Sequence, residues 1–98
     1  MFHIIIHCKP GKENTEYFGK VIGAYASIFI NYKDYEGSVE LAKFYIKEEN
    51  WEIIELENEY YTFESKNDLG DDYGKYYDEI LEYGYSMVFN IYTEDEAE

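Results

Sequence analysis

The fold turns on AYASIFINYKDYEGSVELAKFYIKEENWEIIELE, residues 24–57. In Ala24–Tyr32, Ala26, Ile28 and Ile30 alternate with Tyr25, Ser27, Phe29 and Asn31, the period-two pattern of a strand whose aliphatic face packs under helices. Asp34 then offers a side-chain oxygen to cap a helix over Tyr35–Glu49. Tyr35, Val39, Ala42 and Ile46 recur at helical spacing, with Leu41 and Tyr45 beside them. The outer face runs Glu36, Glu40, Lys43, Lys47, acids first and lysines last, as the helix dipole favours. Asn50 can take the left-handed position that ends such a helix. Trp51–Glu57 reads as a second strand whose pattern slips, because Trp51 and Ile53 fall on one face and Ile54 and Leu56 on the other. A bulge near Ile53 reconciles them.

Outward from this unit, Glu57, Asn58 and Glu59 read as a turn into a strand over Tyr60–Glu64, giving a hairpin. Ser65–Gly70 is polar and loop-like. A second helix is expected over Asp71–Tyr83, with Tyr73, Tyr77, Ile80 and Leu81 inward and Gly84 as its stop. Ser86–Tyr92 alternates Met87, Phe89 and Ile91 with Val88, Asn90 and Tyr92, a last strand before the acidic tail of residues 93–98. Toward the N-terminus, Phe2–Cys8 is an apolar run of strand length, and Pro10 and Gly11 suit a turn. Thr15–Ile22 fits either a helix weakened by Gly19 or the second arm of a hairpin with Phe2–Cys8.

The order from Ala24 is β-α-β-β-α-β. It predicts an α+β domain of ferredoxin-like type, an antiparallel sheet with two helices on one face. Right-handed crossovers put the first and third strands of that unit in the centre. Residues 1–23 become an added N-terminal strand or hairpin, residues 24–92 the core, and the whole chain of 98 residues one domain. Such a fold hosts many activities and selects none of them.

Charge narrows the classes of partner. The net charge is −14. Residues 51–98 hold 15 acids against Lys66 and Lys75, while the first half is nearly balanced, so the acidity belongs to one side of the chain. Arginine is absent, which removes bidentate recognition of phosphate or carboxylate. A surface this negative repels nucleic acid and anionic lipid. Cys8 is the single cysteine, so no internal disulfide forms, in keeping with a reducing compartment. The first residues lack a signal-peptide pattern and no apolar run is long enough to span a bilayer, which points to the cytoplasm.

Chemistry-bearing residues are few. His3 and His7, four apart on a strand, stand about 13 Å from each other at roughly 3.3 Å per residue, too far to share a metal ion. Cys8 lies on the apolar face of its strand and reads as inert. The acids of Asp68–Asp72 lack the spacing of a calcium loop, and Asp71 and Asp72 read instead as cap and first-turn acids of the second helix. No catalytic set, metal site or cofactor motif emerges. Two surfaces remain. One is the acidic outer face of the second helix, Asp72, Asp78, Glu79 and Glu82 with Tyr76 and Tyr83, where like charges stand at repulsive spacing. The other is the sheet face away from the helices, where Tyr25, Phe29, Tyr60 and Tyr92 would gather, open to a partner or covered by the chain's own Phe2–Ile22.

These residues suggest a small non-enzymatic binding protein that presents carboxylates and tyrosines to a basic protein, as an inhibitor or immunity-type protein imitating nucleic-acid charge. It would act as a monomer, or as a homodimer through the open sheet face. Two alternatives use the same fold. One is a regulatory domain holding a small ligand as a dimer. The other is a dimeric enzyme with a His or Tyr acid/base, which requires a deep pocket around His3 or His7.

Overall fold

A computed structural model describes residues 1–93, so most of the expected acidic tail, residues 94–98, lies outside the described residues. The class is the expected one: α+β, with an antiparallel four-stranded sheet and helices packed on it. The strands are β1 (Phe2–Pro10), β2 (Gly23–Ile30), β3 (Trp51–Thr62) and β4 (Tyr85–Tyr92), in spatial order β3-β1-β2-β4. Helix α1 (Tyr35–Glu48) joins β2 to β3, and a chain of short helical turns joins β3 to β4.

The segment around α1 forms as its residues dictate. Asp34 accepts a hydrogen bond from the Gly37 amide at 2.7 Å, and Asn50 ends the helix with φ +63°. Val39, Ala42 and Ile46 are buried against Ile4, Ile6 and Cys8 of β1 and Ala24, Ala26, Ile28 and Ile30 of β2. The sheet centre on this side is small, with Cys8 opposite Ala24. Large side chains from the two outer strands close over it: Trp51 of β3 stacks on Phe89 of β4 at 4.9 Å. The expected bulge in β3 is present, since Cys8 pairs with Ile53 and His7 with Glu55, leaving Ile54 as the extra, exposed residue.

Several particulars differ from the sequence-based expectation. Glu57–Glu59 make no turn. β3 runs on to Thr62, and the residues between Leu56 and Tyr60 are taken up as a second irregularity opposite Ile4–Ile6. The polar triplet bulges because β1 supplies ladder partners on both sides of it. Phe2–Cys8 is not an addition to the sheet. β1 and β2 are the central pair, with Ile4, Ile6 and Cys8 facing α1 and His3 and Ile5 on the other face, the two-sided apolar run of an interior strand. Pro10 belongs to the end of β1, opposite Trp51, and residues 15–22 are neither helix nor strand, with turns over 15–20. Asn14 anchors that loop, its side chain donating to the Glu49 carbonyl at 3.5 Å and accepting from the Tyr17 amide at 3.2 Å.

The second helical segment also departs from expectation. It is broken into a 3-10 turn (Lys66–Leu69), helix α2 (Gly70–Tyr73), a 3-10 turn (Gly74–Tyr76) and helix α3 (Tyr77–Tyr83). Gly70 and Gly74 interrupt it, glycine being the weakest helix former after proline. Its start is not an Asp71 cap. Asp68 accepts hydrogen bonds from the amides of Glu64 and Ser65 at 2.9 and 3.2 Å. Gly84 ends α3 at φ +87°, as expected. This segment packs on the face opposite α1, not beside it. Phe29 and Val88 point to that face, and Phe63, Leu69, Tyr73, Tyr76, Tyr77 and Ile80 cover them in a second core. Leu81, expected inward, is 50% exposed. Among the described residues no helix is long and apolar enough to cross a membrane.

Candidate functional site

The second face of the sheet is only half covered, and the open half is the candidate site. β1 sends His3, Ile5 and His7 to this face, β2 sends Tyr25, Ser27 and Phe29, and β4 sends Val88, Asn90 and Tyr92, by the register of the ladders. Residues 66–83 cover the Phe29 end and leave the Tyr25 end bare. A groove of about 1010 Å³ lies between the two. Its floor is Ile5 and Ser27, and one wall is Glu57, Glu59 and Tyr61 from the bulged part of β3. Asp68 and Tyr73 close one end, and Tyr25 and Asn90 lie across from β3. No lysine is among the lining residues.

Each histidine sits in its own aromatic cluster. His3 stacks on Phe29 at 4.4 Å, with Tyr61 and Tyr73 rings at 5.5 Å. Burial lowers its pKa below the ordinary histidine value, because the imidazolium loses water it cannot replace. His7 lies at the open end, stacked on Tyr25 at 4.3 Å, with its Nε2 at 2.5 Å from the Tyr92 hydroxyl. Burial first, and then the neighbouring Tyr25, raise the Tyr92 phenol above its usual range. Cys8 lies on the other face of β1, fully buried, where desolvation pushes its thiol up to about 12. It is therefore unreactive near neutral pH. The Asp68 carboxyl is held below the usual range by the Glu64 and Ser65 amides, so this acid serves as a cap.

The residues expected at the two surfaces are placed unequally. Asp78, Glu79 and Glu82 stand exposed on α3, with Tyr83 65% exposed among them. Glu79 accepts from the Ser86 hydroxyl at 3.2 Å, which ties the acidic helix to β4. Asp72 is exposed on α2, a separate helix, and Tyr76 is half-buried with its ring 6.5 Å from Phe29 and the Lys75 ammonium 5.3 Å above it. On the sheet face, Tyr25 and Tyr92 stand together as expected, 5.8 Å apart. Phe29 does not line an open surface, because it is fully buried beneath residues 66–83. Tyr60 is on the α1 side, stacked on Tyr35 at 4.0 Å. Its place is taken by Tyr61, opposite His3, because the bulge at Ile54 shifts the parity of β3 and Tyr60 keeps the α1-side parity of Leu56. Phe2–Ile22 does not cover the face, because β1 is built into the sheet.

Tyr61, Tyr73, Glu57 and Glu59 are groove residues that alternation and motif reading did not pick out, whereas His3, named for the enzyme alternative, does line the groove. The Tyr-Tyr pair at 60–61 was the available signal, since one of two adjacent strand tyrosines must face each side. Chemically, tyrosine faces beside carboxylates favour a cationic group, through ring quadrupole and charge together. No family model matches the chain, and neither a curated protein nor a solved structure does.

Proposed function

We propose that this is a small non-enzymatic binding protein that takes a basic protein partner on its carboxylate- and tyrosine-rich side, as an inhibitor or immunity-type protein does. The observation that carries the reading is the groove lining: Tyr25, Tyr61 and Tyr73 with Glu57, Glu59 and Asp68, and no lysine. The groove and α3 lie on the same side of the sheet. Residues 66–83 there carry six acids against two lysines, whereas α1 on the far side carries three against two. Long-range attraction would speed the encounter, and rigid tyrosine rings would set the lifetime of the complex.

The test is capture from the host's lysate at low and high salt, followed by association kinetics with the captured protein. Changing Asp78, Glu79 and Glu82 together to Asn and Gln should slow association and flatten its salt dependence, while Tyr61→Ala should speed dissociation. If the triple variant associates at the same rate with the same salt response, the reading fails.

A second reading is supported by the size of the groove, which lies at the upper end of the range for small-molecule sites. Here the site holds a small organic cation as a regulatory ligand. A rise in melting temperature with polyamines or quaternary amines, and none with basic proteins, would favour it.

A further inference from the structure

The two outer strands end the sheet in opposite ways. β3 carries what keeps an edge from pairing: Glu52, Glu55, Glu57 and Glu59, and two shifts of register. β4 carries none of this. It reads YSMVFNIY, without a charge or a proline, and its register against β2 is unbroken from Gly23↔Tyr92 to Ile30↔Tyr85. The Asn31 amide donates to the Gly84 carbonyl at 2.8 Å, one step beyond the last pair of that ladder. Antiparallel pairing alternates bonded and non-bonded pairs. Ser86, Val88 and Asn90 therefore turn their backbone groups toward β2, and Met87, Phe89 and Ile91 turn theirs outward.

A trough of about 480 Å³ meets this outward edge, lined by Tyr85, Met87 and Phe89 together with Glu49, Glu79 and Tyr83. Glu49 follows α1 on one side of the sheet, and Glu79 lies on α3 on the other. A cavity that touches both passes around the edge of β4.

We propose that β4 accepts an extended segment of the basic partner as a further strand. Its backbone would pair with the outward groups of Met87, Phe89 and Ile91. Its lysine or arginine side chains would alternate between Glu49 on one side and Glu79 and Glu82 on the other. This rests on the basic-partner reading above. Charge names the occupant: self-pairing of β4 would press together two surfaces drawn from the most acidic part of the chain, whereas a basic strand meets carboxylates on both its faces. In strand addition the main-chain bonds give affinity and the alternate side chains give specificity.

The test uses the whole chain and a peptide alternating lysine with threonine, beside its glutamine-for-lysine counterpart. With the lysine peptide at about five times its Kd, amide hydrogen exchange at Met87, Phe89 and Ile91 should slow about sixfold, following one plus the ratio of concentration to Kd. Amides of Ser86, Val88 and Asn90, already paired with β2, should change far less. Replacing Glu49 and Glu79 together with Gln should weaken the lysine peptide about tenfold, as for two exposed ion pairs. A lysine peptide that binds but perturbs only Tyr25, Tyr61 and Tyr73 overturns strand addition and leaves the basic-partner reading standing. Protection of the same amides on raising the protein's own concentration, with a dimer in sedimentation, overturns it in favour of a second copy. Equal protection by the glutamine peptide overturns both readings, and no protection at millimolar lysine peptide overturns strand addition.

Discussion

His3 holds a buried ring nitrogen, Nε2, that has no hydrogen-bond partner among the described residues. Its pKa in the folded chain lies below the ordinary 6.5, so the unfolded chain binds the proton more readily. The contribution of the neutral ring is therefore complete above pH 6.5 and is lost as the pH falls from there toward the folded value. Acidification also relieves repulsion among the carboxylates, so the wild type should be read against His3→Phe. The melting temperature of the wild type should drop relative to that variant below about pH 6.5, and parallel curves would show that His3 keeps its unfolded pKa in the fold. Gly23 offers a steric prediction. A Cβ there would stand 2.7 Å from the Cys8 carbonyl oxygen of a central strand and 2.7 Å from the Tyr92 hydroxyl. Gly23→Ala should cost about 1–3 kcal/mol in denaturant unfolding, as overpacking does. Neither effect was legible in the sequence. A glycine at the start of a strand and a histidine within one look ordinary until the neighbours across the ladder are known.

At the scale of elements, α1 was legible because its information is local: Asp34, the spacing of Val39, Ala42 and Ile46, and Asn50 all lie within one turn of where they act. The face of β2 followed from alternation, and Ile28 is fully buried as that pattern requires. Ile28→Ala should cost about 2–5 kcal/mol by calorimetry or denaturant. A change under about 0.5 kcal/mol would place it at the surface. The 66–83 segment was less legible, since its breaks depend on glycines that helices also tolerate. Gly74 has helical φ/ψ, and a Cβ there meets only ordinary contacts with Lys66. Gly74→Ala should therefore stabilise the protein by about 0.4–1 kcal/mol, by limiting the unfolded chain. A loss of stability would show that the break between α2 and α3 needs glycine. The hairpin expected at Glu57–Glu59 failed for a related reason. Acids and asparagine suit a turn or a bulge equally, and only a partner strand chooses between them.

For the whole molecule, the sequence indicated the α+β class but not the arrangement. Which face residues 66–83 cover depends on Phe29 and Val88 needing burial, a demand set by pairing between distant strands. The open groove follows from that choice, so its residues could not be assembled from motifs. Among the described residues the ion pairs are two, Lys9–Glu52 and Lys43–Glu40, both exposed and near 4 Å, so most of the acids among those residues stand without an ion-pair partner. Moderate salt should raise the melting temperature by screening repulsion between them. A flat or falling response would mean that the acids are already compensated.

The stack of Trp51 on Phe89 bridges strands that are not neighbours in the sheet. It can form only once β1 and β2 have paired with each other and with both outer strands. Trp51 is also the chain's single tryptophan, so its fluorescence gives an optical clock for the end of assembly. In stopped-flow refolding, far-ultraviolet ellipticity should recover no later than the indole signal, because helix α1 needs only local contacts and the stack needs the least local ones. In Phe89→Leu the indole should lose its native emission while the rate of helix recovery stays nearly the same, as expected for a contact absent from the folding nucleus.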